Sequence, residues 1–382
     1  MKVLYLIPHS PSAAGYATVS EFIEYAAYHR RTCEELSSRG IEVELCMLTN
    51  EASTHISGYD FDIQTYTVTT GSSFGWEISI GLIRHLNGGS DADVIHIHGY
   101  NQPNIIPYLA TSVWSYPTIV HNHGSALDTG RFKHRIWYSA IRHLLSRCDA
   151  IVSVDQDELK NVSPLVGDGP ELVHLPNGVD LERFSPKSKS ECRDDLGLEN
   201  ELKYGLYVGR LIEEKGVIQL IEAFERLSKT DETLRLLLVY GGGQEDYIAK
   251  IKRKVEETGV GDKITMIGAV DHDRLSTYYN AADFCVFPSL SEGFGVVVLE
   301  AMACGTPVIA SKEHLSGGHV RDGENCLVVD PQQPSEIVES VIKITNDEGF
   351  QNNLKENSRK MVSQAYTYGI MAEKTIDMYH NV

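Results

Sequence analysis

The chain has 382 residues, which is long enough for two domains, each with its own hydrophobic core. It carries 34 Lys and Arg against 53 Asp and Glu, and the resulting net charge of −19 argues against nucleic acid as a partner. The seven cysteines are scattered without a Cys-x-x-Cys pair, which predicts reduced thiols in a cytoplasmic protein. We expect neither a signal peptide nor a transmembrane helix, since no apolar run is long enough for a membrane span.

The amino-terminal stretch predicts a βαβ opening. Residues 3–7 are apolar and predict a buried strand, a helix is expected over about 19–39, and a second strand follows over 41–48. The loop between the first strand and the helix contains Gly15. In a parallel sheet this loop lies at the carboxyl edge, where ligands bind.

Histidines lie at the ends of the next two predicted strands. His96 and His98 alternate within a strand over 93–98, so both point to one face. Such a pair can bind metal, but no further ligands lie nearby in the sequence, and metal is therefore the minority interpretation. The following strand ends in His121 and His123; we expect it to fray at this point and set His121 aside. The alternative for His123 is an ordinary capping role.

Residues 131–147 form the one basic stretch without an acidic residue in this acidic chain; its cations are Arg131, Lys133, Arg135, Arg142 and Arg147. On a helix, Arg131, Arg135 and Arg142 fall within about 40° of one another. This pattern favours either contact with an anionic membrane or the solvated face of a packed helix.

In the second half, a strand that begins near residue 206 leads into a loop with Arg210 and Lys215, followed by a helix over 217–228. Two cations at a strand exit suit a diphosphate group, and the structural alternative is ion pairing with Glu213 and Glu214. The polar run 186–200 predicts the linker and the lead-in to the second domain. Further strands are expected over 234–239 and 264–270.

The stretch 283–311 predicts a strand, a glycine loop, a helix and a second strand. A helix that begins after Gly293 and Gly295 presents unpaired backbone N–H groups, which suit a phosphate. Glu292 and Glu300 frame this place; carboxylates repel phosphate, so we expect them to face hydroxyl groups of a sugar or ribose. Alternatively, Glu292 only favours the helix dipole and Glu300 is a surface residue.

Several of these segments resemble one family. The resemblance rests on Glu292 and Glu300 around a Gly-Phe-Gly turn with Leu-Glu-Ala-Met-Ala-Cys-Gly-Thr-Pro after it, on residues 93–98, on Pro-Asn-Gly-Val-Asp at 176–180, and on Gly-Arg at 209–210 with Glu-Lys-Gly at 214–216. The chain thus resembles the retaining glycosyltransferases of family 4. The resemblance implies the α/β GT-B fold, in which two Rossmann-like, doubly wound parallel-sheet domains face a cleft. We expect the first domain to comprise residues 1–185 together with about 366–382, whose helix would cross back to it. We expect the second domain to comprise residues 186–365.

The resemblance also implies roles for individual residues. His123 would bind the donor sugar, Arg210 and Lys215 would stabilise the leaving diphosphate, and Glu292 would hold sugar hydroxyls. Donor-binding positions would be Gly15, Gly268, Val270, Gly293, Phe294, Gly295, Val296 and Glu300. The family usually has a glycine pair where this chain has Gly15 alone, so a plain turn glycine is an equal alternative.

No metal or cofactor is expected beyond a UDP- or GDP-type nucleotide sugar, and four Asp-x-Asp matches, such as Asp271 with Asp273, are interpreted as structural. The acceptor would be a growing glycan or a lipid-linked hydroxyl compound. Membrane contact on the cytoplasmic face would involve Arg131, Lys133, Arg135 and Arg142. The rival functions are a nucleotide-sugar epimerase and a non-catalytic nucleotide-sugar-binding subunit.

Overall fold

The fold is that of a computed structural model, which describes residues 1–25, 27–71, 76–99, 102–124 and 135–382. The chain forms two compact units, Met1–Asn177 with Tyr368–Val382, and Gly178–Thr367. Residues 178–185, which we expected at the end of the first domain, belong to the second unit. Within it, the ring of Phe184 is buried against those of His272 and Tyr279.

The two units share an alternation of strands and helices. The strands are β1 Lys2–Ile7, β2 Glu42–Thr49, β3 His55–Ile56, β4 Asp62–Thr67, β5 Val94–His98, β6 Thr118–Asn122, β7 Ala150–Ser153, β8 Glu171–His174, β9 Lys203–Val208, β10 Leu234–Val239, β11 Ile264–Ile267, β12 Phe284–Phe287, β13 Val308–Ser311 and β14 Leu327–Val329. The helices are α1 Val19–Tyr25, α2 Ala27–Ser38, α3 Ile80–Leu86, α4 Ile105–Ser112, α5 Arg135–Leu145, α6 Gln156–Val166, α7 Lys189–Leu196, α8 Val217–Leu227, α9 Glu245–Glu257, α10 His272–Ala281, α11 Val296–Ala303, α12 Pro334–Asn346, α13 Glu348–Ala365 and α14 Tyr368–Asn381.

The first sheet has the strand order β3-β4-β2-β1-β5-β6-β7-β8 and is parallel except for β3. Its central strand, β1, is apolar on both faces because helices cover both sides of the sheet. Tyr5 packs in the core on one face together with Met371 of α14, and Leu4 and Leu6 pack in the core on the other face. The strand order reverses at β1, which lies between β2 and β5.

The second sheet is wholly parallel, with the order β11-β10-β9-β12-β13-β14. Here the order reverses at β9, which lies between β10 and β12. The strands are short apolar runs, and α8 contributes an apolar stripe from Val217, Leu220, Ile221 and Phe224 to the same core. The predicted α/β architecture of two Rossmann-like domains is confirmed.

Two expectations about local structure are wrong. The polar run 186–200 is not a plain linker but contains α7, which starts at the Ser188 cap and ends at Gly197. The helix is held by a buried charge rather than an apolar face: the guanidinium of Arg193 donates to Asp283 Oδ2 at 2.7 Å and to the carbonyl of Ala281 at 3.0 Å. The polar residues of this run therefore gave no sign of a helix, because the buried contact of α7 is made by a charged side chain.

The second wrong expectation concerns strand ends. His121 is not in a frayed end but lies inside β6, with only 1% of its surface exposed, because it pairs in register with His98 of β5. Conversely, the strand expected over 264–270 ends at Ile267.

The last helical stretch is interrupted, since α13 ends at Ala365 and α14 begins at Tyr368. No helix in the described ranges is long and apolar enough to span a membrane.

Candidate active site

The charged residues singled out in the second unit lie where its strand order reverses. The chain leaves the carboxyl ends of the neighbouring strands β9 and β12 in opposite lateral directions, which opens a crevice in a doubly wound sheet. The two exit loops are tied together, because the amide of Leu290 donates to the carbonyl of Glu214 at 2.7 Å. Gly216 permits this approach: its φ is 65°, and a Cβ atom would lie 1.9 Å from the carbonyl oxygen of Pro288.

This loop contact brings Lys215 to Glu292. The Lys215 ammonium lies 2.6 Å from Glu292 Oε2, and the side chains retain 19% and 11% of their exposure. Lys215 therefore pairs with a residue of the other loop, and not with Glu213 or Glu214 as the structural alternative expected. Arg210 is exposed and forms no ion pair with any residue of the described ranges.

Glu292 is held from three sides. Besides Lys215, the hydroxyl of Ser289 donates to Oε2 at 3.1 Å, and His314 Nε2 lies 3.5 Å from the same oxygen. Burial alone would raise the pKa of this carboxyl group, but His314 and Lys215 favour the charged form and lower the pKa to about 2. Glu292 is thus a fixed carboxylate at neutral pH.

The turn into α11 depends on a glycine. Gly295 has a φ of 78°, and a Cβ atom there would lie 2.6 Å from Cδ2 of His314. No other residue type fits both the left-handed backbone and the space beside the imidazole. Since α11 begins at Val296 and has no side-chain cap, the N–H groups of Val296 and Val297 have no partner within the helix, as an anion-binding helix start requires, whereas that of Val298 donates to the carbonyl of Gly295.

These residues line one cavity of about 240 Å³. The lining residues include Arg210, Lys215, Glu292, Gly295 and Val296, so five of the residues predicted from the sequence come together. Tyr207 and Ser289 also line the cavity, and the Tyr207 hydroxyl donates to the carbonyl of Arg210 at 2.8 Å. The cavity offers two cations, one carboxylate and a helix start, a combination that suits a phosphorylated, hydroxyl-rich ligand.

Glu300 lies deeper in the unit. Glu300 is only 4% exposed, so the alternative that it is a surface residue is wrong. His272 Nε2 lies 3.1 Å from Oε1, and the Tyr279 hydroxyl donates to Oε2 at 2.9 Å. Because Arg183 can only donate, its 2.5 Å contact with His272 Nδ1 leaves the ring proton on Nε2, which donates to Glu300.

The remaining donor-site predictions lie outside the lining of this cavity. Phe294 is buried and packs its ring 4.6 Å from that of His319, while Gly293 precedes it in the same loop. Gly268 and Val270 follow the end of β11. Gly15 ends a short 3-10 helix in the first unit, with a φ of 91°.

In the first unit, His123 belongs to a cluster of five imidazoles. His98 Nδ1 lies 2.8 Å from His123 Nε2, and the rings of His29, His96 and His121 complete the cluster. Two tyrosines hold its margins: Tyr5 contacts His29 Nδ1 at 2.9 Å, and Tyr379 contacts His96 Nδ1 at 2.7 Å. The cluster therefore joins β5, β6 and α2 at the carboxyl edge of the first sheet.

Burial sets the protonation of this cluster. It lowers the pKa of His123 to about 4 and that of His96 to about 3. It also lowers the pKa values of His29, His98 and His121, and the neighbouring imidazoles add to the effect. At neutral pH all five rings are uncharged, so they can donate and accept hydrogen bonds but supply no positive charge.

Sequence reasoning missed several of these residues. His314 lies beyond the segments that carry the resemblance, and nothing in its spacing indicated a contact with Glu292. His29 lies in the first turn of α2, inside the helix expected over 19–39, where no local signal indicated it. His272 could have been singled out from its place between Asp271 and Asp273; the Asp273 carboxylate pairs with Arg183 Nε at 2.8 Å, as its structural interpretation expects.

The basic segment is described only in part. Arg131 and Lys133 lie outside the described residues, and the side chain of Arg135 is likewise not described. Arg142 is exposed on α5, and its Nε donates to the carbonyl of Leu165 at 2.6 Å. Ile141, Leu144 and Leu145 of the same helix are buried in the core.

Two family models match successive parts of the chain. The model described as glycosyl transferases group 1 matches residues 188–361, and that described as glycosyltransferase family 4 matches residues 26–183.

Among relatives, an uncharacterised glycosyltransferase of Methanocaldococcus jannaschii is 31% identical over 207 residues, which are 53% of this chain and 52% of that protein. The chain thus matches about half the length of this relative. A D-inositol 3-phosphate glycosyltransferase of Xylanimonas cellulosilytica is 27% identical over 374 residues, which cover 90% of this chain and 88% of that protein.

Solved structures show the same fold. Sucrose-phosphate synthase from Thermosynechococcus elongatus superposes with a TM-score of 0.79 at 22% identity, covering 100% of this chain and 98% of that one. Anabaena HepE in complex with UDP and glucose superposes with a TM-score of 0.75 at 17% identity, covering 100% of both chains.

Proposed function

The chain belongs to the glycosyltransferases of family 4 and group 1, and we propose that it is a retaining enzyme that uses a nucleotide-diphospho-sugar of UDP or GDP type. The acceptor in this proposal is a hydroxyl group. The observation that carries the proposal is the cavity at the ends of β9 and β12, where Lys215 and Glu292 are paired beside Arg210 and the start of α11. A family assignment alone does not give a reaction, but this arrangement has the charges that the reaction needs.

The departing diphosphate is the group on which negative charge develops. Arg210 and Lys215, together with the first amides of α11, would stabilise that charge. They would supply the electrostatic stabilisation that a divalent metal provides in other phosphate chemistry. We therefore propose that the transfer proceeds without a metal ion.

The carboxylates have separate tasks in this mechanism. Glu292 is ionised and fixed beside Lys215, so it would accept hydrogen bonds from sugar hydroxyls. Glu300 would accept hydrogen bonds from the ribose hydroxyls with the lone pairs that His272 and Tyr279 leave unused. His123, uncharged at neutral pH, would bind a further sugar hydroxyl.

Retention of configuration follows if attack occurs on the face from which the diphosphate leaves. The acceptor oxygen forms the new bond to the anomeric carbon as the bond to the diphosphate breaks. The acceptor's proton passes to a phosphate oxygen of the departing donor. This scheme needs no covalent enzyme intermediate, and we assign no carboxylate as a nucleophile.

Two similar proteins support the choice of a nucleotide-sugar donor and a hydroxyl acceptor. HepE was solved with UDP and glucose, and other relatives act on D-inositol 3-phosphate. We propose a glycan or lipid-linked acceptor for this chain. Arg131, Lys133, Arg135 and Arg142 would then contact an anionic membrane surface.

A panel of nucleotide sugars tests the proposal. Thermal-shift screening with UDP-, GDP- and ADP-sugars should identify one base through a raised melting temperature. Free nucleotide should then accumulate only when an acceptor is added. Isomerisation of the donor without acceptor would indicate an epimerase instead, and donor binding without any turnover across acceptors would favour a non-catalytic subunit.

A further inference from the structure

We propose that His29, His98 and His123 bind a divalent transition-metal ion of the zinc type, and that the bound ion inhibits the enzyme. The inhibition, though not the binding, rests on the proposed function, because His123 is the residue assigned there to the donor sugar. The ion is a regulator or inhibitor in this inference and takes no part in glycosyl transfer.

The three rings already converge. One ring nitrogen of each lies within 4.8 Å of the corresponding nitrogens of the other two. His98 Nδ1 and His123 Nε2 face each other at 2.8 Å, in rings only 8° from parallel. Tetrahedral zinc with Zn–N distances of about 2.0–2.1 Å separates its ligand nitrogens by about 3.4 Å, so the two rings need to move apart by only about half an ångström.

The third ring approaches from a different direction. The plane of His29 is inclined by 88° to that of His98 and by 86° to that of His123. Ligands that approach from separate directions suit a tetrahedral ion, with the fourth position left for water. Tyr5 contacts His29 Nδ1 at 2.9 Å, which leaves Nε2 for the ion and fixes the ring as an outer-shell partner does.

A neighbouring set, His96, His98 and His121, has equally close nitrogens but fits an ion less well. His96 and His121 are buried, whereas His29 and His123 are partly exposed and allow an ion to enter.

The elements that carry the three ligands explain why the sequence did not indicate them. His98 ends β5, His123 follows β6, and His29 lies on α2, which packs beside the sheet. The sequence shows the alternating pair at 96 and 98 but not the ring that arrives from the helix. The set contains no carboxylate, which favours ions with affinity for imidazole over Mg²⁺ or Ca²⁺.

The binding test uses the tag-free full chain and either Zn²⁺ or Co²⁺. Calorimetry with Zn²⁺ and the visible absorption of added Co²⁺ should each show one equivalent bound. His29→Gln and His98→Gln should weaken binding at least tenfold. His55→Gln removes an exposed histidine of β3 and serves as the matched control, with affinity unchanged. Thermal melts of each variant establish that it is folded.

Two outcomes would overturn the assignment. One is the absence of a stoichiometric site in the wild-type protein. The other is loss of binding in His121→Gln with retention in His29→Gln, which would place the ion in the neighbouring set. Either readout is independent of turnover, so a failure of the proposed glycosyl transfer leaves the binding result intact.

Once a donor is known, the same variants are used to test the inhibition. Zn²⁺ should inhibit the wild-type enzyme and EDTA should restore its activity, whereas His29→Gln should resist inhibition at the same Zn²⁺ concentration. Equal inhibition of wild type and His29→Gln, with the binding difference intact, would show that the inhibition arises elsewhere and would overturn that part of the inference.

Discussion

The carboxyl ends of the two sheets carry different chemistry. In the second unit a charged pair, Lys215 and Glu292, closes at 2.6 Å between two loops. In the first unit the corresponding edge carries uncharged rings, with His98 and His123 in contact at 2.8 Å. Apart from β3, both sheets are parallel, and both reverse their strand order, so the contrast lies in the residues and not in the topology.

The physical cause of each protonation state also differs. For Glu292, neighbouring positive groups overcome burial and stabilise the ion, so its pKa falls to about 2. For His123, burial destabilises the ion, so its pKa falls to about 4 and the ring stays neutral. Charged loops therefore suit the stabilisation of a leaving diphosphate, and neutral rings suit hydrogen bonds to hydroxyl groups.

The largest effect is expected from loss of the charged pair. Lys215→Ala should lower kcat by about 10²–10³-fold, because the departing diphosphate loses a preorganised cation. Arg210→Ala should also lower kcat, and activity should persist in EDTA. Steady-state kinetics measures these changes, with Lys229→Ala, which removes a surface pair with Glu225, as the matched control. Wild-type kcat in both variants, or turnover that depends on Mg²⁺ or Mn²⁺, would contradict the assignment.

The second prediction concerns Glu300, the buried carboxylate of the charged unit. Glu300→Ala should weaken donor nucleotide binding by about 2–4 kcal/mol, since two hydrogen bonds to ribose hydroxyls are lost and His272 and Tyr279 lose their acceptor. Calorimetry with the nucleotide measures the loss.

Two companion variants test this interpretation. Tyr279→Phe keeps the carboxylate and removes only one of its donors, so it should cost less nucleotide affinity than Glu300→Ala. Glu222→Ala, which breaks a surface pair with Lys254, should leave the affinity unchanged. An unchanged affinity in Glu300→Ala would remove Glu300 from the site.

The sequence predicted the charged site better than the neutral one. Glu292, Gly295 and Val296 belong to one loop and one helix start, where local spacing fixes geometry. The contact of Lys215 with Glu292 additionally requires β9 and β12 to be neighbours, and no local pattern in the sequence shows that pairing. The imidazole cluster depends on the β5–β6 register and on a helix residue, neither of which leaves a local pattern. Helix α7 was missed because its buried contact is an arginine.

The third prediction uses pH to separate the two edges. The lowered pKa of Glu292 means that its carboxylate stabilises the fold at pH values above its ordinary pKa of 4.5. That contribution is lost as pH falls toward about 2. For His123 the unfolded chain binds the proton more tightly, so stability is lost as pH falls from 6.5 toward about 4. Each contribution is on the order of 3 kcal/mol.

The three tryptophans make the measurement specific, because Trp76, Trp114 and Trp137 all belong to the first unit. Urea unfolding followed by tryptophan fluorescence should lose stability between pH 6.5 and 4, and His123→Gln should reduce that loss. Circular dichroism, which reports both units, should show a loss of stability in Glu292→Gln above about pH 4.5, and this difference from the wild type should shrink as pH falls toward about 2. An effect of Glu292→Gln on the fluorescence transition would contradict the separation.

The smallest effect is expected at the membrane, where each cation contributes about 1 kcal/mol to binding an anionic surface. Arg131→Ala, Arg135→Ala and Arg142→Ala combined should move the protein from anionic vesicles to the supernatant in co-sedimentation at low salt. The matched control combines Lys355→Ala, Arg359→Ala and Lys360→Ala on α13 of the other unit, removing the same charge in an equally acidic chain. If the protein carries a membrane-facing edge on the first unit, only the first variant loses binding. Equal loss of vesicle binding in both variants would show that net charge alone explains the binding. Wild-type protein that stays in the supernatant would contradict membrane contact.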